Sequence, residues 1–234
     1  MIVALIAAGG LGVRMGTSRR KQFLELGGRP ILVHTLEAFD SHPQVDRLVV
    51  VVPVTDLNYC RQEIIPGAGL YKPVMLVSGG QHRQESVYNG LQAIRANDAI
   101  VLIHDGARPL LTTQLITACI EGAQQWRACI PALPIQDTLK QVDRQGMIER
   151  TVSRSTLFRA QTPQAFDLSL IKDAHARARR HGWQATDDAA LVERMGVAVR
   201  MVEGSWENIK ITRPHDLLRA EMILRQRLKN GQPI

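Results

Sequence analysis

The residues best suited to chemistry fall in four groups along the 234-residue chain. The first is Ala7-Ala8-Gly9-Gly10-Leu11-Gly12-Val13-Arg14-Met15-Gly16, with Lys21 seven residues beyond Arg14. Its glycines let backbone N–H groups approach an anion closely. Two cations beside such a nest are what a triphosphate requires. They offset its ground-state charge and stabilise the pentavalent transition state and the departing pyrophosphate. A dinucleotide fingerprint fits poorly. Gly10-x-Gly12 followed by Gly16 misses its register by one, and Pro53, not an acidic residue, follows the second aliphatic run. A P-loop would need Gly-Lys-Ser/Thr, which is absent.

The second group is Ser78-Gly79-Gly80-Gln81-His82-Arg83-Gln84-Glu85-Ser86. Its glycine backbone can meet a planar base and Ser86 can hydrogen-bond the base edge, although Ser78 or Ser86 also suits a helix cap. His82 has no partner visible in the sequence and reads as a surface residue. The third is His104-Asp105-Gly106-Ala107-Arg108-Pro109. Asp105 ends an aliphatic run, where a carboxylate can bind Mg²⁺ or a substrate hydroxyl; the plainer alternative is an internal pair with Arg108. The fourth comprises Thr162-Pro163-Gln164, Thr186-Asp187-Asp188 and Asn208-Ile209-Lys210-Ile211-Thr212. On a short strand, Ile209 and Ile211 would turn Lys210 away from the apolar face, either into the site or simply to solvent.

Aliphatic runs at 2–6, 48–52, 74–77, 100–103, 129–133 and 197–202 read as the buried strands that must hold these loops. Stretches with helical periodicity separate most of them, at 31–39, 86–96, 113–124 and 168–180. Such alternation gives an α/β sheet with right-handed crossovers, whose ligands lie beyond the carboxyl ends of the strands. Residues 138–151 break the pattern. They alternate on either side of a turn at 143–146, which predicts a hairpin. A lone hairpin is unstable unless its apolar face is covered, so this one is expected to pack on a second subunit, the alternative being its own domain. Residues 214–229 form the pattern of an amphipathic helix.

A single domain over 1–234 is expected, with 138–154 as a β-arm. Aromatics make up only 4% of the chain, so the core must be built from aliphatic residues, as a parallel sheet buried on both faces requires. The net charge of +7 suits nucleic acid or small anionic substrates. The basic clusters at 19–21 and 177–181 lack the interleaved aromatics that stack bases, which favours small phosphates over nucleic acid. Cys60, Cys119 and Cys129 have no metal-ligand spacing and read as buried thiols in a reducing compartment. The apolar start lacks a preceding positive region and meets Gly9 and Gly10 too early for a signal peptide or membrane span. A cytoplasmic protein without a membrane partner is expected.

Several motifs occur in a fixed order: Ala7-Ala8-Gly9 with Arg14-Met15, Lys21-Gln22-Phe23-Leu24, Gly79-Gly80 with Arg83 and Ser86-Val87, and His104-Asp105 with Ala107-Arg108-Pro109. Asp137-Thr138, Gln161-Thr162-Pro163-Gln164 and Asn208-Ile209-Lys210 follow. Together they resemble the 2-C-methyl-D-erythritol 4-phosphate cytidylyltransferase family of the non-mevalonate isoprenoid pathway, over nearly the whole chain. The resemblance implies a Rossmann-like, mostly parallel sheet flanked by helices, a projecting β-hairpin dimerisation arm, a homodimer, CTP, and Mg²⁺ or another divalent cation. It implies that Arg14, Lys21 and Lys210 are catalytic. CTP would meet Ala7, Ala8, Gly9, Gly80, Arg83, Ser86 and Asp105. The methylerythritol phosphate would meet Asp105, Arg108 and Thr162, with Thr138 and Arg154 reaching it from the partner subunit; Asp105 would also hold the metal. Arg20 stands where the family usually has proline. Gly106 replaces the usual alanine, which is expected to leave room for the ligand. The nearest rival, a ribitol 5-phosphate cytidylyltransferase, typically has a larger residue where Ala107 stands. A non-catalytic nucleotide-binding regulator would not need Arg14, Lys21, Asp105 and Lys210 together.

Overall fold

The computed structural model describes residues 1–9 and 20–231. It opens with β1 (Ile2–Ala7), whose residues Val3 to Ile6 are wholly buried. A tight helical turn at Lys21–Phe23 and a two-residue ribbon, β2 (Glu25–Leu26) with β3 (Arg29–Pro30), lead into α1 (Ile31–Asp40). β4 (Arg47–Val52) is followed by short helical turns that include α2 (Leu57–Tyr59) and α3 (Ile65–Ala68). Then come β5 (Val74–Ser78), α4 (Arg83–Ala93), β6 (Ile100–Asp105), α5 (Thr113–Trp126) and β7 (Ala128–Pro134). The hairpin of β8 (Leu139–Val142) and β9 (Ile148–Val152) precedes β10 (Phe158–Ala160), β11 (Gln164–Asp167), α6 (Leu168–His181), α7 (Ala189–Arg194), β12 (Arg200–Glu203) and α8 (Pro214–Lys229).

The main sheet has the order β10-β7-β11-β6-β1-β4-β5, with β12 also pairing β7. Its centre, β6-β1-β4-β5, is parallel throughout, and β11 runs antiparallel between β6 and β7. The chain moves outward from β1 through β4 to β5, then crosses back to lay β6 on the other side of β1. That reversal opens a crevice beyond the carboxyl ends of β1 and β6. Successive residues of each central strand feed opposite layers. Ile6, Val50, Leu36 and Ile116 pack on the α1 and α5 side, and Leu5, Val51, Leu91, Phe166 and Ile171 on the α4 and α6 side. Helix α8 closes a smaller cluster with Leu26, Ile31, Leu110, Ile211 and Leu224. Cys60, Cys119 and Cys129 are buried and unpaired; burial pushes the Cys60 and Cys129 thiols up to about 11, which keeps them unreactive.

The hairpin forms as the alternation predicts, with Leu139 opposite Val152 and an irregularity between Gln141 and Val142. Asp143 Oδ1 accepts from the Gln145 and Met147 N–H groups, and Gly146 takes the left-handed conformation with φ of 85° that closes the turn. Val142, Met147 and Ile148 are each more than half exposed, so the chain's own domain does not cover the apolar tip. Two sequence expectations shift, and two strands were not expected. Helix α4 starts at Arg83 and not at 86, because a polar first turn carries no apolar period by which the sequence could mark it. The run at 197–202 is a strand only from Arg200. Strands β10 and β11 are too short for alternation to announce them.

Candidate active site

A cavity of about 390 Å³ occupies the crevice. Its walls come from Ala7, Ala8 and Gly9 after β1, from Lys21 and Gln22, from the loop at Gly80 to Arg83 with Ser86, from Asp105, Gly106 and Ala107, and from Lys210. Backbone hydrogen bonds stitch these loops to the strand ends. Ala8 N–H donates to Val51 O (2.8 Å), Gly79 N–H to Val52 O (2.8 Å) and Gly106 N–H to Ala7 O (3.0 Å). The turn at 79–80 presses against α4. A Cβ on Gly79 would lie 2.9 Å from Ser86 Oγ, and one on Gly80 would lie 2.2 Å from Glu85 Cγ. Ser86 Oγ accepts from Gly80 N–H (3.1 Å) and donates to His82 O (3.0 Å), so it fastens the loop to the helix start and faces the cavity as well. His82 is exposed at the mouth.

Gln22 is a site residue that the motif contained but to which the sequence assigned no role. Its buried Nε2 donates to Ala8 O (2.7 Å), tying the end of the first loop back to β1. Arg14 lies outside the described residues. Lys21 Nζ donates to Ile211 O (3.2 Å), and Arg20 is anchored to Asp56 (2.7 Å) and Thr55 (3.2 Å).

Asp105, at the last position of β6, is the electrostatic centre. Lys210 Nζ lies 2.7 Å from its Oδ2, Arg83 Nε 3.1 Å from its Oδ1, and Arg108 Nε 3.7 Å from its Oδ2. Burial opposes the charge most strongly, but Arg83, Lys210 and Arg108 together outweigh it and hold the carboxyl well below the usual range. The two readings of Asp105 are therefore not exclusive: it pairs with Arg108 and also stands on the cavity wall. Lys210 is not on a strand, contrary to the expectation, since residues 208–212 are irregular. The alternation survives without one. Ile211 is fully buried and its N–H donates to Ala107 O (2.9 Å), while Lys210 turns to Asp105.

Beneath the site, His104 Nε2 faces Arg108 O (3.1 Å), a partner that can only accept, so this nitrogen donates. Nδ1 then accepts from the Thr162 hydroxyl (3.0 Å), whose oxygen in turn accepts from Asp105 N–H (3.2 Å). Burial pushes His104 down to about 4, which keeps this neutral arrangement. Thr162 is thus fixed under Asp105 and does not line the cavity. Arg108 Nη1 donates to Asn208 O (2.7 Å), and Asn208 Nδ2 to Thr162 O (2.7 Å). Gly106 does not leave room for a ligand as expected: a Cβ there would meet Ala8 Cβ at 3.0 Å, with Ile6 and Leu32 close behind. Thr138 and Arg154 stand exposed at the two ends of the hairpin, Arg154 donating to Gln136 O, and neither lines this cavity. Among the described residues no cluster of three or more His, Cys, Asp or Glu could hold a metal. Among the described residues that line the cavity, Asp105 alone offers a carboxylate, the pattern expected where phosphates supply most of a Mg²⁺ shell.

The comparisons with known proteins point the same way. The family model described as IspD, 2-C-methyl-D-erythritol 4-phosphate cytidylyltransferase, matches residues 2–226. The enzyme of that name from Syntrophotalea carbinolica is 50% identical over 95% of this chain and 96% of its own length. That from Geobacillus thermodenitrificans is 47% identical over 96% of this chain and 97% of its own. Among solved structures, the cytidylyltransferase of Thermus thermophilus superposes with a TM-score of 0.79 at 37% identity, covering 95% of this chain and 98% of that one. The 4-diphosphocytidyl-2C-methyl-D-erythritol synthase of Anaerococcus prevotii gives 0.84 at 30% identity, covering 96% of each. With the match running from β1 into α8 and the fold shared throughout, the chain belongs to the 2-C-methyl-D-erythritol 4-phosphate cytidylyltransferase family.

Proposed function

We propose that the protein joins CTP to 2-C-methyl-D-erythritol 4-phosphate, giving 4-diphosphocytidyl-2-C-methyl-D-erythritol and pyrophosphate. The observation that carries this reading is the Asp105–Lys210 pair on the wall of a crevice whose other walls are Lys21 and the Gly80–Ser86 loop. The backbone of Ala7, Ala8, Gly9 and Gly80, with Ser86, faces the base. Arg14 and Lys21 hold the triphosphate and meet the charge that develops as pyrophosphate leaves. The attacking group is a phosphate oxygen, already a nucleophile, so no general base is needed and positioning carries the catalysis. Asp105 suits that role, because a carboxyl held so far below the usual range stays anionic and does not exchange protons near neutrality. Asp105 would also hold Mg²⁺, which when bound supplies charge neutralisation to the phosphates. Lys210 reaches the reacting phosphates from its pair with Asp105.

The arm and the dimer belong to the same proposal. The exposed tip of the hairpin needs a cover, and Thr138 and Arg154 stand at its base away from their own crevice. A second copy, docked through the arm, receives both residues beside its methylerythritol phosphate and Arg108. A cytoplasmic location fits the buried free thiols; no helix among the described residues is long and apolar enough to cross a membrane. Pyrophosphate release from CTP is the test, with methylerythritol phosphate and ribitol 5-phosphate as alternative acceptors and ATP, GTP and UTP as alternative donors. Release from CTP with methylerythritol phosphate is expected. Equal use of ATP would remove the pyrimidine site, and preference for ribitol phosphate would replace the acceptor.

A further inference from the structure

The Thr186-Asp187-Asp188 motif is not absorbed by the reaction above, yet it ends in one of the most deeply buried charges in the molecule. Asp188 is 1% exposed. Its Oδ2 lies 2.8 Å from Arg83 Nη1 and its Oδ1 3.0 Å from His175 Nε2. Gln164 Oε1 accepts from the N–H groups of Asp188 (3.0 Å) and Ala189 (3.1 Å), and Gln164 Nε2 donates to Asp187 Oδ2 (2.9 Å). Gln164 opens β11 opposite Ile103, two residues before Asp105 on β6. The carboxylate is therefore fixed to the sheet that carries Asp105. A buried charge persists only with its partner, and Arg83 is that partner. Arg83 bridges the two acids, with Nη1 in an ion pair with Asp188 and Nε donating to Asp105.

We propose that Asp188 is a positioning residue for the transfer reaction, acting through Arg83 to keep Asp105 Oδ2 for Lys210. A guanidinium prefers to grip one carboxylate with two parallel bonds. With Asp188 engaging Nη1, Arg83 meets Asp105 through Nε at Oδ1 alone, and Lys210 holds Oδ2 at 2.7 Å. Without the charge on Asp188, Arg83 turns onto both oxygens of Asp105 and displaces Lys210. The carboxylate is then capped and the lysine leaves its station beside the reacting phosphates.

The role in catalysis rests on the transfer reaction proposed above, so the test has two independent arms. The first reads Lys210 directly, as acetylation by acetic anhydride followed by mass spectrometry, and needs no substrate. The anhydride acylates the free amine, with acetate leaving and the proton passing to water. A lysine released from its carboxylate offers that amine more readily, so Asp188→Asn is expected to raise Lys210 labelling severalfold, and Arg83→Gln/Asp188→Asn to return it towards the wild-type level. Unchanged labelling in Asp188→Asn overturns the proposal. The second arm is turnover. Asp188→Asn should lower kcat about 10- to 100-fold, the usual range for a supporting residue behind a reactive group, with the KM for CTP within about threefold of wild type. The double variant should be no slower than Asp188→Asn, since both act on one contact. A wild-type kcat in Asp188→Asn, or losses from Arg83→Gln and Asp188→Asn that multiply, also overturns it. A wild-type protein that fails to turn over CTP refutes the transfer reaction instead and leaves the labelling arm to decide the Lys210 contact. Should Asp188→Asn not fold, His175→Gln keeps an N–H near the position of Nε2 and His175→Asn does not. Labelling at the wild-type level in the first and raised in the second is expected; equal labelling refutes the relay.

Discussion

Replacing Asp105 by Asn keeps the shape of the side chain and removes the charge on which three cations converge. Breaking a buried pair by deleting one partner typically costs about 3–5 kcal/mol. The structure argues for less. Arg83 retains Asp188 at 2.8 Å, Arg108 retains the Asn208 carbonyl at 2.7 Å, and Lys210, whose side chain is 37% exposed, reaches water once released. About 2 kcal/mol remains after these partners are counted, which for a domain of this size lowers Tm by roughly 4–8 °C. Turnover should suffer more, by about 10²- to 10³-fold, the loss seen when a preorganised charge-stabilising group is removed. Linkage gives an internal control. The folded carboxyl lies below its ordinary value of 3.8, so its contribution is fully present above 3.8 and disappears as pH falls through the folded value. The Tm gap between the two proteins should therefore be constant near neutrality and narrow below pH 3.8. Calorimetry and pyrophosphate release on the same samples measure both effects. A Tm within about 1 °C of wild type, together with turnover within about threefold, would refute the assignment of Asp105 as the centre of the site.

Lys21→Ala should lose roughly 2.7–4 kcal/mol of transition-state stabilisation, mainly in kcat, and Arg14→Ala the same; single-turnover kinetics that leave kcat intact in both would end the triphosphate reading. Co-expressed subunits carrying Arg14→Ala and Arg154→Ala should recover about a quarter of wild-type activity, because about half the dimers are mixed and one of their two sites is intact. Mixed dimers with no recovery would return Arg154 to its own subunit. His104, held at about 4 against an ordinary 6.5, stays neutral while the unfolded chain takes up a proton, so stability should fall by up to about 3 kcal/mol as pH drops from 6.5 to 4. Burial lowers His34 and His42 in the same direction. His104→Gln, which can still donate to Arg108 O, should flatten that slope by about one proton in pH-dependent denaturant melts.

The sheet was legible because its central strands are unbroken aliphatic runs, a pattern that only burial on both faces explains, and the hairpin because its period of two closes on an Asp–Gly turn. Strands β10 and β11 were not, at three and four residues. In the site, glycines, cations and Asp105 announced themselves by type and by position after a run. Lys210 was found by alternation with two isoleucines, although the strand supposed to produce it does not exist. Asp188 stood in one of the four groups without a role, because its partner Arg83 lies 105 positions earlier. Gln22 and His175 drew no role because nothing in the sequence pairs them with their acceptors. A buried amide or imidazole looks like any surface one until the fold brings its acceptor within 3 Å, as Ala8 O does for Gln22 and Asp188 for His175.

The contact between Lys21 and the Ile211 carbonyl joins residues 190 positions apart, and the Asp105 cluster draws in Asp188 and Lys210 from the last quarter of the chain. A ribosome therefore finishes the parallel strands β1, β4, β5 and β6 well before it delivers the groups that close the crevice. Contacts of such long range are the slow ones to form. A nascent or truncated chain that ends before Asn208 can hold most of the sheet and still lack one wall of the pocket. Catalytic competence is in this sense the last thing the chain acquires. During refolding, pyrophosphate release should lag behind the recovery of secondary structure, as α8 and the segment before it dock.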